Sequence, residues 1–411
     1  MKTDVDALMQ EHNIDYLLVT GSGRYNPYMV YLTGGGHFSE ADLIKKRGEG
    51  EILFHSPIER DEAAKTGLVT RSFADYPISE LLKESGGDFA VAFARRYRRI
   101  FEDLGICEGR VAIFGQTDLG RGYAIFRNLA EMLPNVEFVG LHSGNLLMRA
   151  MATKSYDEVE RIRRVGTMTV QVVGRTADFL SQHRVRDGVL MQSNGEVLTV
   201  GDVKRQVRLW LAEADVELPE GMIFSIGYDS AVPHSCGNSQ DVLRVGETIV
   251  FDIYPSEAGG GYFYDMTRTW CLGYATDEAL ELHAHVLHVL ECIEREVTAN
   301  VLFKEYHRKA CELFVAKGHP TILDNPQTEE GYVHSLGHGV GLHIHEKPFS
   351  GILAAPEDVL VPGSVFTLEP GLYYPKHGIG VRVEDTYWML PDGRIEVLAN
   401  YPRDLVLDVK W

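Results

Sequence analysis

The feature that most limits what this chain can fold into is a set of apolar segments that each carry a carboxylate where another aliphatic residue is expected. Thr248-Ile249-Val250-Phe251-Asp252-Ile253-Tyr254 reads as a buried strand interrupted by Asp252. After a turn at Gly259-Gly260-Gly261 the chain returns over residues 262–270 as a second strand carrying Asp265. Nearer the C-terminus, Phe366-Thr367-Leu368-Glu369-Pro370-Gly371 places Glu369 at the end of a strand, and residues 380–386 return with Glu384. The similar separations suggest two related halves facing each other, although no sequence repeat proves it. An ionised carboxylate in an apolar strand is costly unless a cation or several hydrogen bonds compensate it. One such residue is equally well explained by a solvent-facing position on an edge strand. Four on two hairpins are harder to explain that way, and Arg268 and Arg382, which can pair with some of them, cannot balance all four.

Between the hairpins lies His334-Ser335-Leu336-Gly337-His338-Gly339-Val340-Gly341-Leu342-His343-Ile344-His345-Glu346. Four of the chain's 16 histidines fall here, interleaved with three glycines that let the backbone approach closely. No HExxH pattern is present. The five cysteines, Cys107, Cys236, Cys271, Cys292 and Cys311, form no CxxC pair, so any metal is held mainly by oxygen and nitrogen. Their odd number suits buried thiols in a reducing compartment. Residues 1–22 contain only the short apolar run Tyr16-Leu17-Leu18-Val19, far below a secretion signal or a membrane span. A cytoplasmic protein with no membrane partner is expected. With 40 Lys+Arg against 59 Asp+Glu, the formal charge of -19 repels nucleic acid and anionic lipid, and most of the acid excess is expected on a solvated surface.

A length of 411 residues with 45% hydrophobic content predicts two domains. Strand-like runs at 14–20, 51–55, 111–115 and 136–140 and an arginine-rich helix over 89–104 make the first an α/β domain. Ser155-Tyr156-Asp157-Glu158 then reads as a capping box, and Val159, Ile162, Val165, Val173 and Leu180 follow at helical spacing. A long helix therefore opens the second domain, and the boundary falls near residue 150.

The ordered set Asp252…Asp265-x-Thr267-Arg268-Thr269…His334-x-x-Gly337-His338-Gly339-x-Gly341-Leu342…Glu369-Pro370-Gly371…Arg382-x-Glu384-Asp385 resembles the pita-bread metallopeptidases. That family includes Xaa-Pro aminopeptidases, Xaa-Pro dipeptidases and methionine aminopeptidases. The resemblance runs from about Lys154 to the end, and the N-terminal domain is similar to that of the proline-specific branch and of creatinase. It implies a creatinase-like α/β domain over 1–150, an α+β pita-bread catalytic domain over 151–411, and a homodimer.

Residue by residue, the resemblance implies that Asp265 and Glu384 bridge two divalent ions, that Asp252 binds one, and that His338 and Glu369 bind the other. His334 and His345 match histidines that contact substrate and stabilise developing charge. His234, in Val232-Pro233-His234-Ser235, resembles a further substrate-side histidine, with an ordinary loop histidine as the alternative. Arg382 is placed with His234 among the substrate-binding residues. Four carboxylates and one imidazole favour Mn²⁺, with Co²⁺, Fe²⁺ and Zn²⁺ following. The expected reaction is hydrolysis of the Xaa-Pro bond in dipeptides or at the N-terminus of small peptides, with Glu369 transferring the proton.

Three positions depart from the family pattern. Ile253-Tyr254-Pro255 follows Asp252 where x-Gly is usual, His343 stands where prolidases often carry Asp, and Phe349 stands where some prolidases carry an arginine that captures the dipeptide carboxylate. A non-peptidase on the same fold, similar to creatinase, ectoine hydrolase or dimethylsulfoniopropionate lyase, is the alternative. A metal-free binding module is the third, and the complete ligand set counts against it.

Overall fold

The computed structural model describes residues 4–142 and 146–411. The chain divides into two compact units, Met1–Met151 with Gly259–Gly261, and Ala152–Ala258 with Tyr262–Trp411.

The first unit is built on one six-stranded mixed sheet. Its strands are β1 (Tyr16–Gly21), β2 (Ala41–Lys46), β3 (Glu51–His55), β4 (Val69–Ser72), β5 (Gly109–Gly115) and β6 (Val136–Gly140), in the order β4-β3-β2-β1-β5-β6. β1 runs antiparallel to β2 and parallel to β5, and β5 runs parallel to β6. The aliphatic run Leu17-Leu18-Val19 is fully buried, as a central strand covered on both faces requires. Helices α1 (Phe89–Asp103) and α2 (Leu119–Met132) start at Asp88 and Asp118, whose side chains accept from Val91 N and Arg121 N. Ile100 and Phe101 from α1 and Ile125 and Leu129 from α2 share a core with Leu18, Phe54 and Val111. Two of the four strands expected in this region have the expected bounds. β1 instead starts at Tyr16, and β5 reaches back to Gly109.

The second unit opens on α3 (Tyr156–Gln182), and the capping box forms: Glu158 N donates to Ser155 Oγ at 3.4 Å, and Ser155 N donates to Glu158 Oε2 at 2.7 Å. Strands β7 (Met222–Ile226), β8 (Thr248–Ile253) and β9 (Met266–Ala275) lie side by side and antiparallel. A second antiparallel sheet contains β10 (His338–Gly339), β11 (Glu346–Phe349), β12 (Val365–Leu368) and, beyond the hairpin β13 (Gly371–Tyr374) and β14 (Ile379–Arg382), β15 (Asp385–Met389). Helices α4 (Asp277–Glu296) and α5 (Phe303–Ala316) close over this half. Val286, Leu290 and Ile293 of α4 and Phe303 and Phe314 of α5 form one core with Phe366, Leu368, Val381 and Tyr387. No helix among the described residues is long and apolar enough to cross a membrane.

Two expected strands are shorter than their apolar patterns. The return strand after Asp252 begins at Met266, which pairs with Ile253, so Asp265 precedes the ladder. The segment 380–386 is broken: Gly371 pairs with Arg382 and Leu368 with Asp385, leaving Glu369 and Pro370 opposite Val383 and Glu384. Pro370 has no amide hydrogen to continue the ladder. Glu369 and Glu384 therefore share one interruption in a long hairpin.

Candidate metal centre

Asp252 lies next to last in β8, opposite Ile223 of β7 and Thr267 of β9. Its Oδ2 accepts from Arg382 Nη2 at 2.6 Å, while its Oδ1 is buried without a partner. Asp265 is held by its backbone, with Thr386 Oγ1 donating to its carbonyl at 2.7 Å, and its buried Oδ1 also lacks a partner. Glu384 is fixed at the hairpin break by backbone hydrogen bonds with Thr267, and Thr267 Oγ1 donates to Glu384 Oε2 at 2.7 Å. Glu369 is placed by its amide, which donates to Leu336 O at 2.8 Å.

The histidine segment reaches these carboxylates because its glycines allow it. A Cβ on Gly337 would stand 2.1 Å from Thr367 O, and one on Gly339 would stand 2.0 Å from Lys347 O, so a larger residue would force the segment off both strands. Nδ1 of His338 lies 3.1 Å from Gly339 O. A carbonyl only accepts, so Nδ1 carries the proton and Nε2 presents its lone pair to the carboxylates. Nε2 is 3.5 Å from Glu369 Oε1 and 3.7 Å from Asp265 Oδ2. One ligand atom each from Asp265, His338 and Glu384 lies within 4.8 Å of the other two.

Electrostatics sharpen the picture. Burial, followed by the proximity of His345, pushes His338 down to about 3, so its imidazole is neutral. Burial and the charges of Asp252 and Glu369 hold Asp265 well above the usual carboxylate range. Burial and the charges of Asp265 and Glu369 do the same to Glu384. Glu369 is raised to about 8, mainly by burial. Carboxylates this crowded resist ionising together unless a cation joins them. Two orphaned carboxylate oxygens, a neutral imidazole nitrogen and four clustered carboxyl groups fit hard to borderline divalent cations.

The other expected residues are nearby in different roles. His334 donates from Nδ1 to Ser335 O at 2.8 Å and accepts from Tyr373 at Nε2, 2.9 Å away; its Nδ1 is 3.9 Å from Glu369 Oε2. Burial pushes it down to about 3, with the nearby Arg382 charge acting in the same direction. His345 is exposed, and its ring packs edge-on against His338 with centroids 4.4 Å apart. His234 is exposed and close enough to contribute to the lowered basicity of His334 and His345, for both of which desolvation by the surrounding protein is the larger cause. Arg382 is buried, and its guanidinium bonds to Asp252, Thr267, Tyr373 and Pro233 O. Arg268 does not reach the cluster's carboxylates and instead binds Asp385 at 2.7 Å. Phe349 ends β11, with its amide donating to Asp358, and His343 N donates to Glu346 Oε1.

Four contributing residues were not singled out from the sequence. Tyr373 joins Arg382 to His334, and Thr267 joins Arg382 to Glu384. Thr267 does stand in the Asp-x-Thr-Arg-Thr motif, whereas nothing local marks Tyr373. The buried pair Lys154–Glu346, 2.7 Å apart, braces the histidine segment, since Glu346 Oε1 also accepts from Leu342 N and His343 N.

The fold and this donor set together define a metal-site protein assembled from two carboxylate hairpins and a histidine segment. Residues 160–390 match the model of metallopeptidase family M24, and the chain belongs to that family. It is 28% identical over 280 residues to "Probable dipeptidase PepE" of Mycobacterium tuberculosis, covering 67% of each chain. It is 34% identical over 171 residues to the Xaa-Pro dipeptidase of Pyrococcus furiosus, covering 42% of this chain and 45% of that one. Among solved structures, the X-Pro aminopeptidase of Thermotoga maritima superposes with a TM-score of 0.73 at 23% identity, over 96% of this chain and 98% of that one. The architecture is thus an α/β N-terminal domain followed by a pita-bread domain.

Proposed function

We propose that this chain is a dinuclear metal-dependent exopeptidase that hydrolyses the Xaa-Pro bond in dipeptides or at the N-terminus of short peptides. The observation that carries this reading is the convergence of Asp252, Asp265, His338, Glu369 and Glu384 on one buried cluster with two unpartnered carboxylate oxygens. The names of its relatives, which are dipeptidases and Xaa-Pro peptidases, support the substrate class.

Asp265 and Glu384 would hold both ions, Asp252 one, and His338 and Glu369 the other, with Mn²⁺ first and Co²⁺, Fe²⁺ or Zn²⁺ following. Bound there, divalent cations supply Lewis acidity that makes water a nucleophile near neutral pH and polarises a peptide carbonyl. The chain's own groups do the rest. Glu369, which would be ionised beside the bound cations, is suited to taking a proton from the attacking water and passing it to the leaving nitrogen. His345, exposed beside His338, is positioned to donate to the substrate carbonyl as charge develops, and His234 is the further histidine we propose to contact substrate. Arg382 anchors Asp252 directly and Glu384 through Thr267. Two exposed free cysteines, Cys107 and Cys236, favour a reducing, cytoplasmic setting, and a homodimer is the assembly we propose.

The test is turnover by Mn²⁺-loaded protein of an Xaa-Pro dipeptide, a longer Xaa-Pro peptide and a panel of small non-peptides. Cleavage of at least one Xaa-Pro peptide, lost in the Asp265→Ala, Glu384→Ala double variant, is expected. Turnover of the non-peptides alone, or retained cleavage in the double variant, would overturn the proposal.

A further inference from the structure

The first unit contains a cavity of about 540 Å³, within the range of small-molecule sites. Its position follows from the strand order. From β1 the chain continues into β2 on one side, whereas from β5 it continues into β6 on the other, so the topology reverses between the parallel neighbours β1 and β5. Open α/β sheets leave a crevice outside the carboxyl ends of such a pair. The cavity is lined there by Thr20 and Gly21 at the end of β1, by Ser22 just after it, and by Gln116, Thr117 and Asp118 after β5.

Most of the charges around this cavity are already paired. Arg121 donates to Glu40 at 2.6 Å, and Asp118 caps α2 by accepting from Arg121 N at 2.8 Å. Two are not. Arg96, 7% exposed, lines the cavity with its guanidinium over the rings of Phe73 and Phe93, 4.9 and 5.0 Å from their centroids, and its buried Nε has no partner. Asp42, 5% exposed, accepts from the Tyr97 hydroxyl at 2.8 Å, and Arg96 acts on it only through space. A buried cation with an unpartnered donor is costly unless an anion reaches it. A simple anion would leave Asp42 uncompensated and would meet its repulsion. A dipolar ligand answers both charges, and the rings of Phe73, Phe93 and Phe126 offer an apolar wall.

We propose that this cavity is a binding site for a free α-amino acid with an apolar side chain, its carboxylate on Arg96, its ammonium group towards Asp42 and its side chain against the phenylalanines. The assignment makes no use of the hydrolytic reaction, although free amino acids are the class of product that reaction releases.

The experiment is calorimetric titration of the full-length, EDTA-treated protein with L-leucine, L-leucinamide and N-acetyl-L-leucine. Leucine should bind saturably with a Kd of about 1 mM or tighter, and the derivatives lacking a free carboxylate or ammonium group should bind at least about tenfold more weakly. Arg96→Met should weaken leucine binding by at least about tenfold, whereas Asp265→Ala, in the metal centre, should leave it unchanged. The derivative series needs no variant, so it decides the question even if Arg96→Met does not fold. No saturable binding of leucine, phenylalanine or proline up to about 10 mM would overturn the proposal. Equal binding of leucinamide, or binding lost in Asp265→Ala but kept in folded Arg96→Met, would overturn it as well.

Discussion

Arg382 and Asp252 form an ion pair 2.6 Å long, with side chains only 3% and 13% exposed, and Asp252 is at the same time a proposed metal ligand. The guanidinium thus compensates a carboxylate that a cation would also compensate. Arg382 further reaches Glu384 through Thr267, so one residue orients two donors.

Arg382→Met should therefore destabilise the metal-free protein by about 3–5 kcal/mol, because it leaves Asp252 buried beside other carboxylates. A bound cation takes over part of that compensation, so the loss should shrink when Mn²⁺ is present. Metal affinity should correspondingly rise, because a cation that stabilises the variant more than the unaltered protein must bind the variant more tightly. Urea denaturation with and without Mn²⁺ and calorimetric metal titration measure these effects. An equal loss of stability in both conditions would contradict the shared-compensation account.

The Lys154–Glu346 pair lies outside the donor set but supports it. The side chains are 2% and 0% exposed. Lys154→Met should cost about 3–5 kcal/mol by leaving a buried carboxylate without its cation. Adding Glu346→Gln should recover part of that loss, because the amide oxygen still accepts from Leu342 N and His343 N and no charge remains. Denaturation of the single and double variants decides the matter; a double variant less stable than Lys154→Met alone would refute it.

A pH dependence follows from Asp42 in the first unit. Burial raises its carboxyl from 3.8 to about 6, against the lowering effect of hydrogen bonds from Thr20 and Tyr97. The folded value lies above the unfolded one, so the folded state holds the proton more tightly. Its stabilising contribution is complete below 3.8 and is lost as pH rises through about 6. The loss amounts to about 3 kcal/mol. Asn keeps an acceptor for Tyr97 and does not titrate, so the stability of Asp42→Asn relative to the unaltered protein should rise by most of that amount between about pH 4 and about pH 7. A difference that stays flat across this interval would mean that Asp42 titrates normally.

Gly337→Ala tests how closely the histidine segment is fitted. The added methyl would meet Thr367 O at 2.1 Å, and that carbonyl belongs to a buried strand rather than to a side chain that can swing away. Gly337 is also held by Ser350, whose Oγ donates to its carbonyl and accepts from its amide, each at 2.7 Å. The variant should lose about 1–3 kcal/mol, and a displaced His338 should weaken metal binding. Thermal unfolding and metal titration matching those of the unaltered chain would show that the segment has room to spare.

Much of the site was legible in the sequence because its donors stand out against their surroundings. Asp252 interrupts an aliphatic strand, and His338 lies in a glycine-interleaved segment that has few structural reasons to exist. The capping box at Ser155 and Glu158 was equally plain, since it depends only on neighbouring residues. Strand ends were less legible. The apolar pattern continues through residues 262–265 and 383–384, but the hydrogen-bond ladder does not, because pairing depends on the partner strand and on the missing amide of Pro370.

The sequence by itself determined which residue types could bind metal and the order in which the chain presents them. Chain order and local pattern are one-dimensional properties; they marked Asp252, Asp265, Glu369, Glu384 and the histidine segment, and the family resemblance pointed to His338 within it. Only the tertiary structure decided what holds them. Tyr373 bridges Arg382 and His334, Arg382 turns inward to Asp252 and Thr267, and Lys154 reaches Glu346 from 192 residues away. Such contacts form between segments distant in sequence, where burial makes a charge or polar group require a partner that its neighbours along the chain do not supply.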